Sequence, residues 1–177
     1  MATTDYAEQY KQMHEDPSVF EGNAVTAHLK DIEVMIHQYK AKTLLDYGCG
    51  KGNQYHVGRV HEKHFDGVMP SLYDIGVEKY NKLPRRKFDG VICTDVMEHV
   101  PEDQVDEVLK QIYSRAKKFV FFGICDKLAV KNLPNGENAH CTVKPMEWWR
   151  EKIQEHATVP TNIKTYGTQD ERSSIEG

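Results

Sequence analysis

Hydrophobic and polar positions follow two periods along the chain. Apolar residues recur three or four positions apart from Val25 to Tyr39, which predicts an amphipathic helix. The same period predicts further helices over residues 5–16, 53–64, 102–116 and 145–156. Short apolar runs rich in β-branched and aromatic residues predict strands over residues 43–45, 68–73, 88–95, 119–124 and 159–166. Strands that alternate with helices favour an α/β fold with a mostly parallel sheet.

The connection between the second and third predicted strands is too short for this alternation of strands and helices. Thirteen residues separate Asp74 from Phe88, and Pro84-Arg85-Arg86-Lys87 uses several of them as a turn. A crossover between parallel strands needs a dozen residues or more. A helix and a further strand cannot both fit, so we predict that the sheet lacks one unit here.

Glycines follow the first predicted strand at every second position, in Thr-Leu-Leu-Asp-Tyr-Gly-Cys-Gly-Lys-Gly over residues 43–52. Glycine tolerates positive φ and lets a ligand approach bare backbone, and open parallel sheets bind ligands at the carboxyl ends of strands. Asp46 would repel a phosphate, and Asn53 stands where the dinucleotide fingerprint needs a glycine. A cationic or hydroxyl-bearing ligand is therefore favoured, and a nucleotide-dependent oxidoreductase is disfavoured.

Two more residues belong with this loop. Asp74 ends the second predicted strand, 22 residues after Gly52. Nucleotide-binding α/β proteins hold ribose hydroxyls with an acid at about this separation, although an Asp can also cap the turn Tyr73–Gly76. Tyr55, early in the following helix, is close enough in sequence to line the same pocket.

A second group of polar residues ends the central strand. Asp95, Glu98 and His99 lie within five residues, beside the expected ligand crevice. Oxygen donors with one imidazole suit a hard divalent cation, magnesium or manganese, better than zinc. Alternatively, His99 alone could act as a general base, since an unperturbed imidazole titrates near neutrality.

Two strings together carry a family resemblance: Leu-Leu-Asp-Tyr-Gly-Cys-Gly-Lys-Gly over residues 44–52, and Phe-Asp-Gly-Val-Ile-Cys-Thr-Asp-Val-Met-Glu-His-Val-Pro over residues 88–101. They resemble the Rossmann-like (class I) S-adenosylmethionine-dependent methyltransferases, especially the ubiquinone-biosynthesis O-methyltransferases and the methyltransferase type 11 group. The resemblance implies a three-layer Rossmann-like sandwich with a mostly parallel sheet, here shortened by loss of the second crossover helix and third strand. A residue that contacts adenine usually lies in that missing part.

The resemblance also implies roles for individual residues toward S-adenosylmethionine. The methionine end would be held by Asp46 and the loop, the ribose by Asp74, and the methyl centre would be flanked by Thr94 and Asp95. The cofactor-binding set is thus Asp46, Gly48, Gly50, Gly52, Tyr55, Asp74, Thr94 and Asp95.

The role of the acidic group stays open at this point. Some relatives with Asp/Glu-x-x-Glu-His, among them small-RNA 2′-O-methyltransferases, bind magnesium there and add a later histidine, which Asn138-Ala139-His140-Cys141 loosely resembles. The candidate metal ligands are then Asp95, Glu98, His99 and His140. Other relatives keep Glu-His without a metal, so a metal site, a metal-free base at His99 or His140 and a structural role are three alternatives.

The domain organisation follows from length and order. A chain of 177 residues with 39% hydrophobic content suits one packed domain. We predict a single methyltransferase-like domain over residues 1–167, with a polar, frayed tail at 168–177. Its parts are a helical cap (1–40), whose first helix either covers the pocket or packs on the surface, a cofactor-binding core (42–125), and a substrate-side loop, helix and edge strand (126–167).

Composition narrows the partners. A net charge of −4 and a pI of about 6.1 disfavour a nucleic-acid or membrane partner. No run reaches the ~18 apolar residues of a membrane span, the start lacks signal-peptide features, and the four cysteines form no Cys-x-x-Cys pair. These features favour a cytoplasmic protein with reduced cysteines. Together with the resemblance, they imply an enzyme that methylates an oxygen of a small molecule, with or without a divalent metal. The alternatives are an inactive cofactor-binding or regulatory protein and an RNA 2′-O-methyltransferase-like activity.

Overall fold

The computed structural model describes residues 6–167, so the predicted tail at 168–177 lies outside the described residues. The strands are β1 (Leu44–Tyr47), β2 (Ser71–Tyr73), β3 (Phe88–Thr94), β4 (Ala116–Cys125) and β5 (Thr161–Tyr166). The α-helices are α1 (Tyr6–His14), α2 (Leu29–Tyr39), α3 (Asn53–His56), α4 (Val60–His64), α5 (Val105–Arg115) and α6 (Met146–His156). Short 3₁₀ turns cover Ala24–His28, Glu78–Tyr80, Met97–His99 and Glu102–Gln104.

All five strands pair in parallel, in the order β2-β1-β3-β4-β5. The predicted Rossmann-like α/β fold is confirmed. Because the strands are parallel, the residues that end β1, β2 and β3 meet at one edge of the sheet. Tyr47, Tyr73 and Thr94 stand at that edge.

A hydrophobic core lies on each face of the sheet. On one face, α5 and α6 bury side chains that include Leu109, Ile112 and Trp149 against β1, β3 and β4. On the other, α2 and the α3–α4 segment bury Ile32, Ile36, Tyr55 and Phe65. Trp149 is fully buried, as expected for a tryptophan that packs in the core.

The predicted loss of one unit after β2 is confirmed. Between Asp74 and Phe88 the chain makes only the 3₁₀ turn Glu78–Tyr80, and the Asp74 amide donates to the Tyr80 carbonyl (3.1 Å). β2 is therefore an edge strand, and within residues 6–167 no α-helix lies between β2 and β3 in the chain.

Several predicted boundaries were wrong. The helix predicted over residues 53–64 is broken into α3 and α4, because the chain reverses at Gly58 and Arg59 adopts a left-handed φ of 53°. The helix predicted from Val25 begins as a 3₁₀ turn. β4 starts at Ala116, directly after α5, rather than at Phe119. No helix among residues 6–167 is long and apolar enough to cross a bilayer.

Candidate active site

A cavity of about 1010 Å³ opens at the carboxyl edge of the sheet. Its floor includes Gly48, Gly50, Asp74, Thr94 and Asp95, from the ends of β1, β2 and β3. Pockets for one small ligand measure roughly 300–1,000 Å³. This cavity is therefore large enough for a cofactor and an acceptor side by side.

The glycines of the loop are required by backbone geometry and by close packing. Gly48, Gly50 and Gly52 have φ values of 86°, 56° and 73°. A Cβ on Gly48 would lie 2.1 Å from Val96 Cγ2, and one on Gly50 would lie 2.5 Å from the Phe20 carbonyl oxygen. The space beside these glycines is thus filled by Val96 and by the Phe20 backbone, whereas the sequence predicts a ligand there.

Every loop amide from Gly48 to Gln54 donates within the protein. The Gly48 and Cys49 amides share the Tyr73 carbonyl, and the Gly50 amide donates to Asp74 Oδ2 (2.8 Å). The remaining amides donate to the carbonyls of Phe20, Cys49, Glu21 and Gly22. A phosphate would find no free donor here, which agrees with the argument from Asp46 against a dinucleotide.

Residues 6–22 form a strap across the cavity. On the loop side, the Lys51 ammonium donates to the carbonyls of Asp16 and Val19 (2.8 Å to the latter). On the opposite side, the Tyr10 hydroxyl lies 2.9 Å from the His99 carbonyl oxygen and 2.8 Å from that of Ala139. The first helix therefore covers the pocket as well as packing on the body through its buried Met13.

Asp74 lies at the centre of the cavity floor. Its Oδ2 accepts from the Gly50 amide and its Oδ1 from the Gly76 amide (2.9 Å). His14 of the strap places Nε2 3.3 Å from the same Oδ1. Asp74 therefore caps the turn Tyr73–Gly76, and its carboxylate also borders the cavity.

Asp46 and Tyr55 lie behind the loop, outside the cavity lining, although we had placed both on the cofactor. Side chains alternate along β1, so Asp46 points with Leu44 toward α2 and α3 while Tyr47 faces the cavity. Asp46 Oδ2 accepts from Gln54 Nε2 and Tyr55 Oη, both at 2.8 Å. Burial raises the pKa of Asp46 to about 7, and its Oδ1 has no partner among the described atoms. Gly52 also lies outside the lining.

Thr94 and Asp95 end β3 on the cavity floor. Asp95 has a left-handed φ of 55°, which is uncommon outside glycine and turns its side chain at the ligand edge. Its buried Oδ1 has no partner within residues 6–167, and burial raises its pKa to about 6. This carboxylate is a strained, unsatisfied group, and such groups concentrate at functional sites.

Three ligand atoms of Glu98, His99 and His140 lie within 4.8 Å of one another. His99 Nδ1 lies 2.8 Å from the Ala139 carbonyl oxygen, and His140 Nδ1 lies beside that of Lys127. A carbonyl only accepts, so each Nδ1 carries a proton, and the lowered pKa of His99 leaves a lone pair on its Nε2. Glu98 Oε1 accepts from the Cys125 amide (2.9 Å), while Oε2 is buried without a described partner. Asp95, the fourth predicted ligand, is not in this group.

Burial dominates the charges of these residues. Burial and the nearby Asp95 charge raise the pKa of Glu98 to about 8, and burial together with His140 lowers the pKa of His99 to about 4. The neutral His99 imidazole, the His140 imidazole and the Glu98 Oε2 atom, which has no described partner, form a donor set that fits a divalent cation. We call Asp95, Glu98, His99 and His140 the carboxylate–histidine cluster.

Sequence reasoning missed the residues of the strap that reach the site. His14 contacts Asp74, and Phe20 packs edge-on against His99 with ring centroids 5.5 Å apart. The helical spacing of Tyr6, Tyr10 and Met13 was visible in the sequence. The residues that this helix contacts were not, because contacts between residues 60 to 131 positions apart leave no periodic signal.

The parallel sheet with a cavity at its carboxyl edge is consistent with the Rossmann-like, S-adenosylmethionine-dependent methyltransferases. A family model described as a methyltransferase domain matches residues 25–160, most of the chain, and the protein belongs to that family. No curated protein shows a significant match. The closer resemblance to the ubiquinone-biosynthesis group stays a prediction.

Proposed function

We propose that the protein transfers the methyl group of S-adenosylmethionine to a hydroxyl oxygen of a small molecule, with a divalent cation at Glu98, His99 and His140. The observation that carries the proposal is the convergence of three ligand atoms within 4.8 Å at the cavity. Two imidazoles and one carboxylate suit manganese better than magnesium, which prefers oxygen ligands throughout. Asp95 would support the site from its neighbouring position.

The floor of the cavity is the proposed position of the cofactor. Asp74 would accept from the ribose hydroxyls, Gly48 and Gly50 would border the methionine end, and Thr94 and Asp95 would flank the methyl centre. Asp46 acts indirectly, since it fixes α3 behind the loop through Gln54 and Tyr55. When bound, S-adenosylmethionine supplies an activated methyl group, so the protein mainly aligns the acceptor and removes a proton.

His99 and His140 are the candidates both for removing the acceptor proton and for binding the cation. Since His99 has a pKa of about 4, it is a weak base without a cation, but it is neutral at pH 7, as a metal ligand must be. A bound cation supplies Lewis-acid chemistry that lowers the pKa of an acceptor hydroxyl. Because the low pKa of His99 makes it a weak base, we propose His140, which also lines the cavity, as the metal-free base.

The walls of the cavity bear on whether the acceptor is a small molecule or a polymer. The strap and the 126–143 loop close over the cluster through Tyr10 and Ala139, which favours a small molecule over a polymer. The 2′-hydroxyl of an RNA end is the second candidate, favoured by the convergence of Glu98, His99 and His140 alone. A cytoplasmic location is part of the proposal and rests on the four free cysteines.

Calorimetry and turnover test the proposal together. Binding of S-adenosylhomocysteine is measured first, and its production from S-adenosylmethionine is then followed on alcohols, phenols, amines and short RNAs, with manganese or with a chelator. We expect cofactor binding, turnover on a hydroxyl, and loss of that turnover with chelator or in Glu98→Gln. The matched control is Asp103→Asn, an exposed acid outside the cavity lining.

Three results would contradict parts of the proposal. Absence of cofactor binding would overturn it entirely. Binding without turnover on the whole panel would favour the inactive cofactor-binding alternative. If turnover is the same with and without the chelator, the reaction needs no cation, and His99 or His140 acts as the base.

A further inference from the structure

Beyond Asp74 the cavity continues toward α5, where the missing unit would otherwise stand. We call this part the α5 chamber. Its apolar walls are Tyr47, Tyr73, Val96 and Val108, and its outer edge is Ile75, an exposed aliphatic side chain directly after Asp74. The polar groups on its α5 side are Gln104, Glu107 and Gln111.

A base attached to a ribose at Asp74 has two directions in which to lie. On the strap side, His14 lies against Asp74 and Gly76, and its ring centroid is 5.0 Å from that of Phe20. On the other side lie the aromatic rings of Tyr47 and Tyr73 and the branched side chain of Val96. Purine faces are apolar, so the α5 chamber is the side with both room and a matching surface.

The α5 chamber also presents one hydrogen-bond donor and one acceptor. Tyr47 Oη donates to Gln111 Oε1 (2.9 Å), which fixes the amide so that its Nε2 remains as a donor. Glu107 lies one helical turn earlier, on the same face of α5, and its carboxylate can only accept when ionised. A ligand that matches this pair offers an acceptor and a donor side by side.

We infer that Glu107 and Gln111 read the Watson–Crick edge of the adenine, with Gln111 donating to N1 and Glu107 accepting from the N6 amino group. The helix α5 thereby replaces the contact that the absent third strand would make. The inference rests on the proposed placement of the ribose at Asp74. It predicts discrimination against hypoxanthine, whose N1 donates and whose O6 accepts, so that both hydrogen bonds are reversed.

Calorimetry with S-adenosylhomocysteine and S-inosylhomocysteine tests the pair without any acceptor. We expect the wild type to bind the adenine form about tenfold or more tightly than the inosine form, because a reversed edge leaves polar groups unpaired. Glu107→Ala should weaken adenine binding about fivefold and reduce the discrimination. Gln111→Glu keeps an acceptor for Tyr47, loses the N–H donor, and should shift the preference toward inosine.

Controls separate this inference from the proposed function. Asp103→Ala removes an exposed acid one turn before Glu107 and should bind both ligands like the wild type. Because Glu107 is exposed, its replacement should not threaten folding, which a melting curve checks. Equal binding of the two ligands by the wild type, or unchanged discrimination in both variants, would overturn the inference alone. No binding of S-adenosylhomocysteine would overturn the proposed function as well.

Discussion

The two halves of the ligand edge differ in how far their hydrogen bonds are satisfied, apart from one Asp46 oxygen that lies without a described partner behind the loop. In the loop half, every amide from Gly48 to Gln54 has a partner within the chain. In the carboxylate–histidine cluster, Asp95 and Glu98 each keep a buried oxygen without a described partner. Satisfied groups make a rigid scaffold, and an unsatisfied buried group costs about 1–3 kcal/mol unless a ligand completes it. The loop thus gives shape, and the cluster is where a ligand or cation adds the missing bonds.

Gly48→Ala breaks the loop half and should have the largest effect. A Cβ would lie 2.1 Å from Val96 Cγ2 at a φ of 86°. Left-handed backbone and overpacking together cost about 3 kcal/mol of unfolding free energy. Gly67→Ala is the matched control, since φ is 78° but no described atom lies within 4 Å of its Cβ. Denaturant unfolding should show only about 1 kcal/mol of loss there.

A double variant sharpens this test. If the contact with Val96 is responsible, Gly48→Ala with Val96→Ala should recover part of the loss, and a double-mutant cycle measures it. Equal losses in Gly48→Ala and Gly67→Ala would show that packing of the loop plays no part.

Glu98→Gln breaks the cluster half. The amide keeps an oxygen for the Cys125 amide but loses the charge that a cation needs. We expect manganese affinity to fall at least about 100-fold, which equals about 2.7 kcal/mol, while the melting temperature without metal holds or rises. Titration followed by electron paramagnetic resonance measures the affinity. The control is Asp106→Asn. Asp106 belongs to a second group of possible metal ligands among the described residues, with Glu155 and His156, but it already pairs with Lys152. A similar loss in both variants would contradict a site at Glu98.

Asp46→Asn probes the buried carboxyl group behind the loop. The folded-state pKa of Asp46, about 7, lies above its ordinary value of 3.8. The folded state therefore holds the proton more tightly, and wild-type stability is lost as pH rises through 7. Asn can still accept from Gln54 and Tyr55 and does not titrate. We expect the stability of Asp46→Asn relative to wild type to increase by about 2 kcal/mol between pH 5 and pH 8. A pH-independent difference in unfolding free energy would refute the raised pKa.

Much of this comparison was readable in the sequence. Counting residues between Asp74 and Phe88 revealed the missing unit, and the parallel arrangement put Asp74 and Asp95 at one edge. The face of Asp46 was also readable in principle, since it alternates with Tyr47 along β1. The saturation of the loop amides was not, because Phe20 and Gly22 meet the loop about 30 residues later in the chain, and no local pattern encodes such a contact. The convergence of His140 on Glu98 likewise depends on the fold of the 126–143 loop.

The strap joins the two halves, and its hydroxyls give the smallest expected effect. Tyr10 is partly buried and its hydroxyl lies between two backbone carbonyls, whereas the Tyr6 hydroxyl donates to exposed Glu137 at 3.1 Å. Tyr10→Phe should therefore lower the unfolding free energy by about 1 kcal/mol and Tyr6→Phe by less than about 0.5 kcal/mol. Hydrogen exchange should report faster opening of α1 in Tyr10→Phe, with the β1 and β3 amides unchanged. If the two variants behave alike, the strap is held by Lys51 and the buried Met13 on the loop side, and the cluster does not anchor it.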